Sequence, residues 1–394
     1  MKRWLAVIFM VGLCAGVLYA QHQNGEAADK KPAKTDQSPG GMVEWLTPAL
    51  PSNRPQTDEE KEVGKRSGRA RPTPEILQPT LDAALSAYQP RQDIKLSGEF
   101  KGAASDVLPG LVKLWIEAFT KYYPNVKIEV PPPYAGSLGA KELVNGKLDF
   151  VFVSRELKPD DITDFKAKFG YDPLSVPISG GSYRHYGFLD AIGFFVNKEN
   201  PLEKISFDQL DAILSSTHHR GGGPITTWRQ LGLTGEWADK PIHIYGIKPW
   251  NGFEEFIRQR VLSYHGKRGE WRDGINFSDV VFPVARRVAE DRYGLGYSGL
   301  AYLDAGVKLL PLGESERGPF YPPTYEQVAR ASYPLSRLIF FNTNKAPGKP
   351  LNPALAEFLR FILSREGQQL VLDHALYLPL RAAQVNSSRA LLDH

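Results

Sequence analysis

Ile94–Pro124 reads IKLSGEFKGAASDVLPGLVKLWIEAFTKYYP. The order is strand, polar glycine-rich loop, then a long amphipathic helix. Ile94 and Leu96 alternate with Lys95 and Ser97, as in a short strand. Gly98, Gly102 and Ser105 are expected to fill the loop. Beyond Ser105 and Asp106, apolar residues recur at Leu108, Leu111, Val112, Trp115, Phe119 and Tyr122, the spacing of one helix face. A serine at a helix start caps backbone N–H groups or shares them with a bound anion, and the helix dipole favours negative charge there. Ser105 and Asp106 are therefore candidate ligand contacts, with simple capping as the alternative.

The pattern repeats downstream. Val126–Val130 alternates as a strand, and the loop PPPYAGSLG follows it. Ala140–Asn145 reads as a helix ended by Gly146. Asp149–Val153 is nearly all apolar, as a strand buried on both faces must be, and it stops at Ser154-Arg155. Polar loops after successive strands belong to a parallel sheet whose ligand sites gather at the strands' carboxyl ends. Asp190–Gly294 carries a second set. Ile192–Val196 is a strand, Ser206 caps a helix to Leu214, Ile242–Tyr245 is a strand and Phe253–Leu262 a helix. Lys308–Pro311 and the helix Pro353–Ser364 follow. Two α/β units joined by chain crossings predict two lobes around a cleft.

Upstream of Asp93 the chain changes character. Met1–Ala20 has the basic start and apolar run of a secretory signal, with a cut expected at Ala20–Gln21. The single cysteine, Cys14, lies inside that run. Lipid anchoring at Cys14 is the alternative, against which Leu13 is bulky where a small residue is wanted. Residues 21–91 are rich in Pro, Lys, Glu and Ser and read as a mostly disordered tether. A short helix is expected near Glu75–Tyr88. The 394 residues suffice for two core-bearing domains, and a mature chain without cysteine depends on core burial. Met1–Ala20 holds Lys2 and Arg3 and no acid, so losing it takes the net charge from +4 to +2. That surplus is too small and too scattered to imply a nucleic-acid partner.

Enzyme signatures are missing. There is no G-x-S-x-G elbow, and Gly136–Lys141 lacks the spacing and the hydroxyl residue of a phosphate loop. No H-E-x-x-H or cysteine-based metal set occurs. Asp160-Asp161 and Glu254-Glu255 read as acidic first turns of helices. What remains is a set of polar loops at strand ends: Ala104-Ser105-Asp106, Gly136-Ser137, Ser154-Arg155 and Asn251-Gly252. Such loops suit a small oxyanion, which needs fixed N–H and O–H donors and a cation.

In these loops the chain resembles the phosphate-type substrate-binding proteins of ABC importers, over about Ile94–Leu380. ASDVLPGLVKLW is similar to the family's G-S-D-T-L…W opening. AGSLGAKELVNGKLDFVFVSRELKPDDI resembles its Gly/Ser loop, helix–strand and S-R-x-L run. TTWRQLG, PIHIYGIKPWNGFEEFIRQRVL, YGLGYSGLAYL, SYPLSRLIFF and LSREGQQLV resemble later segments. The resemblance implies an α/β fold of the two-lobe periplasmic-binding-protein type (type II), each lobe a mostly parallel sheet flanked by helices. It implies no cofactor and no catalysis. Ser105, Ser137, Ser154 and Arg155 match the family's ligand positions, and Asp106 follows the first of them. Val107 stands where the family has Thr, and Ile247 where it has Arg, with Lys248 beside it. Asn251-Gly252-Phe253 stands for its S-G-T turn. Lys248, Asn251 and Gly252 are the expected substitutes, while Trp250 and Phe253 either stack on a larger ligand or pack between lobes.

These readings give lobe 1 as 93–182 plus 298–394 and lobe 2 as 183–297, with hinges near Ser182–Asp190 and Arg292–Ser298. The expected role is capture of phosphate or a related oxyanion by a secreted monomer, with an ABC permease as partner and the membrane met only through the signal or lipid anchor. The alternative is an envelope interaction or sensing module with altered or lost phosphate binding.

Overall fold

The computed structural model describes residues 80–183, 189–249, 252–303 and 306–393. The signal, Cys14, Trp250, Asn251 and most of the tether lie outside the described residues. No helix among the described residues is long and apolar enough to cross a membrane.

Strand β1 is Gly98–Ala104, later than Ile94. Gly98 and Gly102 are strand residues and not loop residues. A Cβ on Gly102 would sit 2.0 Å from the Phe150 ring, so the neighbouring strand's phenylalanine fills the space a side chain would take. Helix α1 (Pro109–Tyr122) buries Leu111, Val112, Trp115 and Phe119 of the face its spacing predicts, while Tyr122, expected on the same face, is exposed at the helix end. Next come β2 (Val126–Glu129), α2 (Gly136–Val144), β3 (Phe150–Val153), α3 (Pro159–Phe169) and β4 (Leu174–Gly180). All of β3 is buried, as its apolar run requires.

The second half begins with β5 (Ile192–Asn197), β6 (Ile205–Ser206) and α4 (Phe207–Leu214). Ser206 caps α4 by accepting from the Gln209 N–H, and the Gln209 side chain takes the Ser206 N–H in return. After β7 (His243–Ile247), α5 (Gly252–Ile257) runs into one π-helical segment, Arg258–Leu262. Then follow β8 (Asn276–Ser278), α6 (Phe282–Ala289), β9 (Gly294–Gly299), β10 (Val307–Leu309), β11 (Leu312–Gly313) and α7 (Tyr325–Ala329). Strand β12 (Leu338–Thr343) and helices α8 (Pro353–Ile362), α9 (Arg365–His374) and α10 (Ala382–Asp393) close the chain.

The first sheet has the order β2-β1-β3-β12-β4 and the second β10-β5-β9-β7-β8. Two lobes of α/β structure stand as expected, and each sheet is mixed, with four of its five strands running one way and one strand reversed. In the first, β12 runs antiparallel to both β3 and β4. In the second, β5 runs antiparallel to β9 and β10. A chain that visits the second lobe and comes back supplies β12 from the opposite direction.

The return also lies elsewhere than near Ser298. β9 is held between β5 and β7 inside the second sheet, and β10 pairs with β5. Arg292–Ser298 is therefore not a hinge. The chain re-enters the first sheet at β12. The two crossings run side by side there: the Gly181 N–H donates to Arg337 O (2.7 Å) and the Ile192 N–H to Leu335 O (3.2 Å). Ser182 and Asp190 are bridged within the outward crossing.

The expected helix at 75–88 is not helical over its described part. Residues 80–88 are extended around one turn, with Leu85 and Tyr88 buried. The Arg365 guanidinium takes the carbonyls of Ala83 and Leu85 (3.0 Å each), which a helix would need for its own amides. The segment is thereby strapped to α9.

Candidate functional site

β1 and β3 end at one rim of the first sheet, and β12, which runs opposite to β3, begins there. Ser105 leaves β1 at this rim. Its N–H donates to Phe152 O (2.9 Å), which prolongs the β1–β3 pairing by one residue. Its hydroxyl oxygen accepts from the Ser154 N–H (3.3 Å), leaving the hydroxyl hydrogen to donate. Ser105 does not cap α1. The cap position is Leu108, which offers no side-chain acceptor, and Ser105 instead closes a turn by accepting from the Leu108 N–H (3.0 Å). Asp106 is exposed in that turn.

Gly136 opens α2 directly against Ser105. A Cβ there would lie 2.2 Å from Ser105 Oγ, so only glycine lets the helix start approach the hydroxyl. The residue before it, Ala135, has no side chain able to cap, which leaves the first amides of α2 without a protein side-chain acceptor. Uncapped amides at a helix start are an anion-binding feature. Ser137 is the next residue. Its Oγ accepts from Arg155 Nη2 (3.0 Å), while Arg155 Nη1 donates to Glu156 O (2.7 Å). Arg155 is buried, and burial lowers its pKa; Glu255, Asp161 and Glu156 oppose that shift and Arg268 adds to it. Ser105, Ser137, Ser154 and Arg155 thus form one connected cluster, with Gly136 between them.

The second lobe meets this rim through α5. Glu255 receives both Arg268 Nη atoms at 2.9 Å. Burial pushes the Glu255 carboxyl up, but the Arg268 bonds and charge, with Lys158 and Arg155 beyond, hold it below its ordinary value. Phe253 and Phe256 face Arg337, their ring centres 6.0 and 4.4 Å from its guanidinium. Gly252, exposed, opens this helix beside Phe253. Lys248 follows β7, donates its N–H to Ser278 O (2.9 Å) and pairs its ammonium with Asp279. Its charge is matched within the second lobe. Ile247 is fully buried and its N–H donates to Tyr297 Oη (3.2 Å), so this position brings no cation to the rim. Asn251 lies outside the described residues.

Sequence reasoning missed Arg337, which donates to Ser154 O (3.2 Å) from the start of β12. It also missed the Glu255–Arg268 pair. The signal for Arg337 was one arginine before the apolar run LIFF, a pattern equally suited to a solvated strand end. Phe256, whose ring its guanidinium meets, lies far away in sequence.

Among relatives, the phosphate-binding protein PstS of Pseudomonas aeruginosa is 34% identical over 304 residues, 77% of this chain and 88% of its own length. Protein SphX of Synechococcus elongatus is 25% identical over 256 residues, 64% of this chain and 69% of its own. The crystal structure of PstS from Borrelia burgdorferi aligns with 72% of this chain and 100% of its own, at 18% identity and a TM-score of 0.49. The model of the PBP superfamily domain matches residues 89–366, from just after the strap to the start of α9, and the chain belongs to that superfamily.

Proposed function

We propose that the chain is a secreted solute-binding protein that captures phosphate or a related oxyanion between its two lobes and delivers it to an ABC importer. One observation carries the reading: Ser105, Ser154, Gly136, Ser137 and Arg155 join hydroxyls, backbone amides and a guanidinium at one strand-end rim. A tetrahedral oxyanion calls for this set, since its oxygens need several fixed donors and its charge needs a cation. The relatives named phosphate-binding protein support phosphate as the guest.

Ser105 donates its hydroxyl hydrogen and the first amides of α2 add theirs, with Ser137 and Arg155 beside them. Asp106 on the neighbouring turn, and Lys248, Asn251 and Gly252 from the second lobe, are the further proposed contacts. The lobes close by bending of the paired crossings near Gly181 and Arg337. Binding and release make and break no covalent bond, so the reading is of a carrier and not an enzyme. Met1–Ala20 directs export, the protein works outside the cytoplasm as a monomer, and an ABC permease is its macromolecular partner. The test is calorimetric titration of the purified chain with phosphate, with sulfate as competitor. Saturable heat is expected; none at millimolar phosphate sinks the assignment.

Ile247 favours a second reading. Its burial against Tyr297 removes the family's guanidinium from that lobe, and Val107 and Phe253 replace two hydroxyl donors. An envelope interaction or sensing module with lost phosphate binding would keep the fold and not the cup. Absent phosphate heat, together with failure to co-purify a permease, would select it.

A further inference from the structure

Arg337 stands where the two lobes and the two crossings meet. Its carbonyl accepts from the Gly181 N–H (2.7 Å), and a Cβ on Gly181 would lie 2.6 Å from Arg337 Cβ. The outward crossing therefore fixes where its side chain starts. That side chain is directed along the rim: Nη2 donates to Ser154 O (3.2 Å), and the guanidinium lies 4.4 Å from the centre of the Phe256 ring. The residue is 6% exposed, yet Nε is buried with no hydrogen-bond partner in the protein.

Its charge is poorly matched as well. The carboxylates that act on it, Asp190 and Glu156, are not within ion-pair distance among the described residues. Asp190 accepts from the Ala301 N–H (3.0 Å), and Glu156 lies 3.7 Å from Arg260. The third charge acting on Arg337 is Arg155, which opposes it. Two buried guanidinium groups thus bracket Ser154, one bonded to its carbonyl and one on the next residue. A buried cation with an idle N–H is a costly arrangement unless something negative completes it.

We propose that Arg337 is the cup's second cation, reaching the oxyanion from the hinge and donating to it through Nε. It supplies from β12 the charge that Ile247 does not supply from β7. Because the same guanidinium rests on Phe256 of the second lobe, anion capture and lobe closure use one side chain. Two cations suit a doubly charged tetrahedral anion such as phosphate dianion. The inference rests on the phosphate reading and deepens it.

The experiment compares wild type, Arg337→Met and Arg337→Lys by phosphate calorimetry, alongside melting of each without phosphate. Loss of one charge-assisted hydrogen bond predicts roughly 10- to 100-fold weaker binding for R337M, with R337K between the two. Wild type that binds while both variants bind equally well overturns the proposal and spares the phosphate reading. Wild type that does not bind overturns both. If R337M fails to fold, the wild-type arginine Nε–H resonance, assigned by its loss in R337K, decides instead. A downfield move on adding phosphate supports the contact, and an unmoved resonance refutes it. A residue that only props the hinge would leave that resonance in place.

Discussion

Gly136→Ala should cost phosphate affinity with almost no cost in stability, for reasons that can be worked from one contact. The new Cβ would stand 2.2 Å from Ser105 Oγ, 3.3 Å from Val153 Cγ1 and 3.4 Å from Ser105 Cβ. The hydroxyl conflict alone is prohibitive, and a rotation of Ser105 by about 120° relieves it. That rotation gives up the bond from the Ser154 N–H (3.3 Å). The lost bond costs about 1 kcal/mol, while alanine for glycine in a helix returns up to about 1 kcal/mol. The melting temperature should therefore barely change. Binding suffers more, because the Ser105 hydroxyl no longer points at the anion. A hydrogen bond to a charged group contributes about 1.5–3 kcal/mol, or roughly 10- to 100-fold in Kd.

The sharper form is a double-mutant cycle with Ser105→Ala, read by calorimetry. Once Oγ is gone, the closest Ser105 atom to the added methyl is Cβ at 3.4 Å, an ordinary contact. G136A should then have no further effect, and the double variant should bind as S105A does. Non-additivity of this kind identifies a shared interaction. If the double variant loses another tenfold beyond S105A, or if G136A alone binds like wild type, the reasoning from the Ser105 hydroxyl is wrong.

Gly102→Val should destabilise the first lobe by about 1–3 kcal/mol or more, since a Cβ would lie 2.0 Å from the Phe150 ring inside the core; urea unfolding followed by tryptophan fluorescence measures it. Ser206→Ala removes a reciprocal cap with Gln209 and should cost about 1 kcal/mol in the same assay, leaving phosphate affinity unchanged. Glu255 has a folded-state pKa below its ordinary 4.5, so its contribution is present above that value and lost as pH falls through the lowered one. Glu255→Gln should therefore be less stable than wild type at pH 7, with the gap shrinking on acidification below about 4.5; thermal melts across pH 3–7 would read it.

Local pattern carried much of the fold. The buried run of β3, the apolar face of α1 and the Ser206 cap each follow from a few adjacent residues. Failures came where the deciding partner is remote in sequence. Gly98 and Gly102 have loop-like identity, yet Phe150, from another strand, makes Gly102 a strand position. β12 is central to the first sheet, and its place there depends on β3 and β4, so no local window reveals it. The misplaced second hinge has the same origin: Gly294–Gly299 pairs on both sides with strands read separately. In the site, Ser105, Ser137, Ser154 and Arg155 carry polar identity at strand ends and were legible as candidates. Arg337 was not, because its neighbours Gly181, Ser154 and Phe256 all lie far from it in sequence.

The contacts between lobes bear on how such a cleft can open. Arg260 reaches Glu156 at 3.7 Å with both side chains more than one-third exposed, and pairs of this kind contribute about 0–1 kcal/mol. Arg155 and Glu255 face each other electrostatically, but Glu255 is already committed to Arg268 within its own lobe. The Arg337–Phe256 contact adds a cation–π attraction of about 2 kcal/mol at most when desolvated. Against these stands the repulsion between Arg155 and Arg337, which closing the cleft strengthens by excluding water. These contacts between the lobes are thus weak pairs opposed by buried like charge. An anion placed between these two guanidinium groups, both carried by the first lobe, would convert that repulsion into two attractions, which a shut cleft strengthens by excluding water. A ligand shifts an equilibrium by its differential affinity for the two states, and at the proposed site that difference would come from the second lobe, whose Phe256 covers Arg337 and keeps water from the pair of arginines.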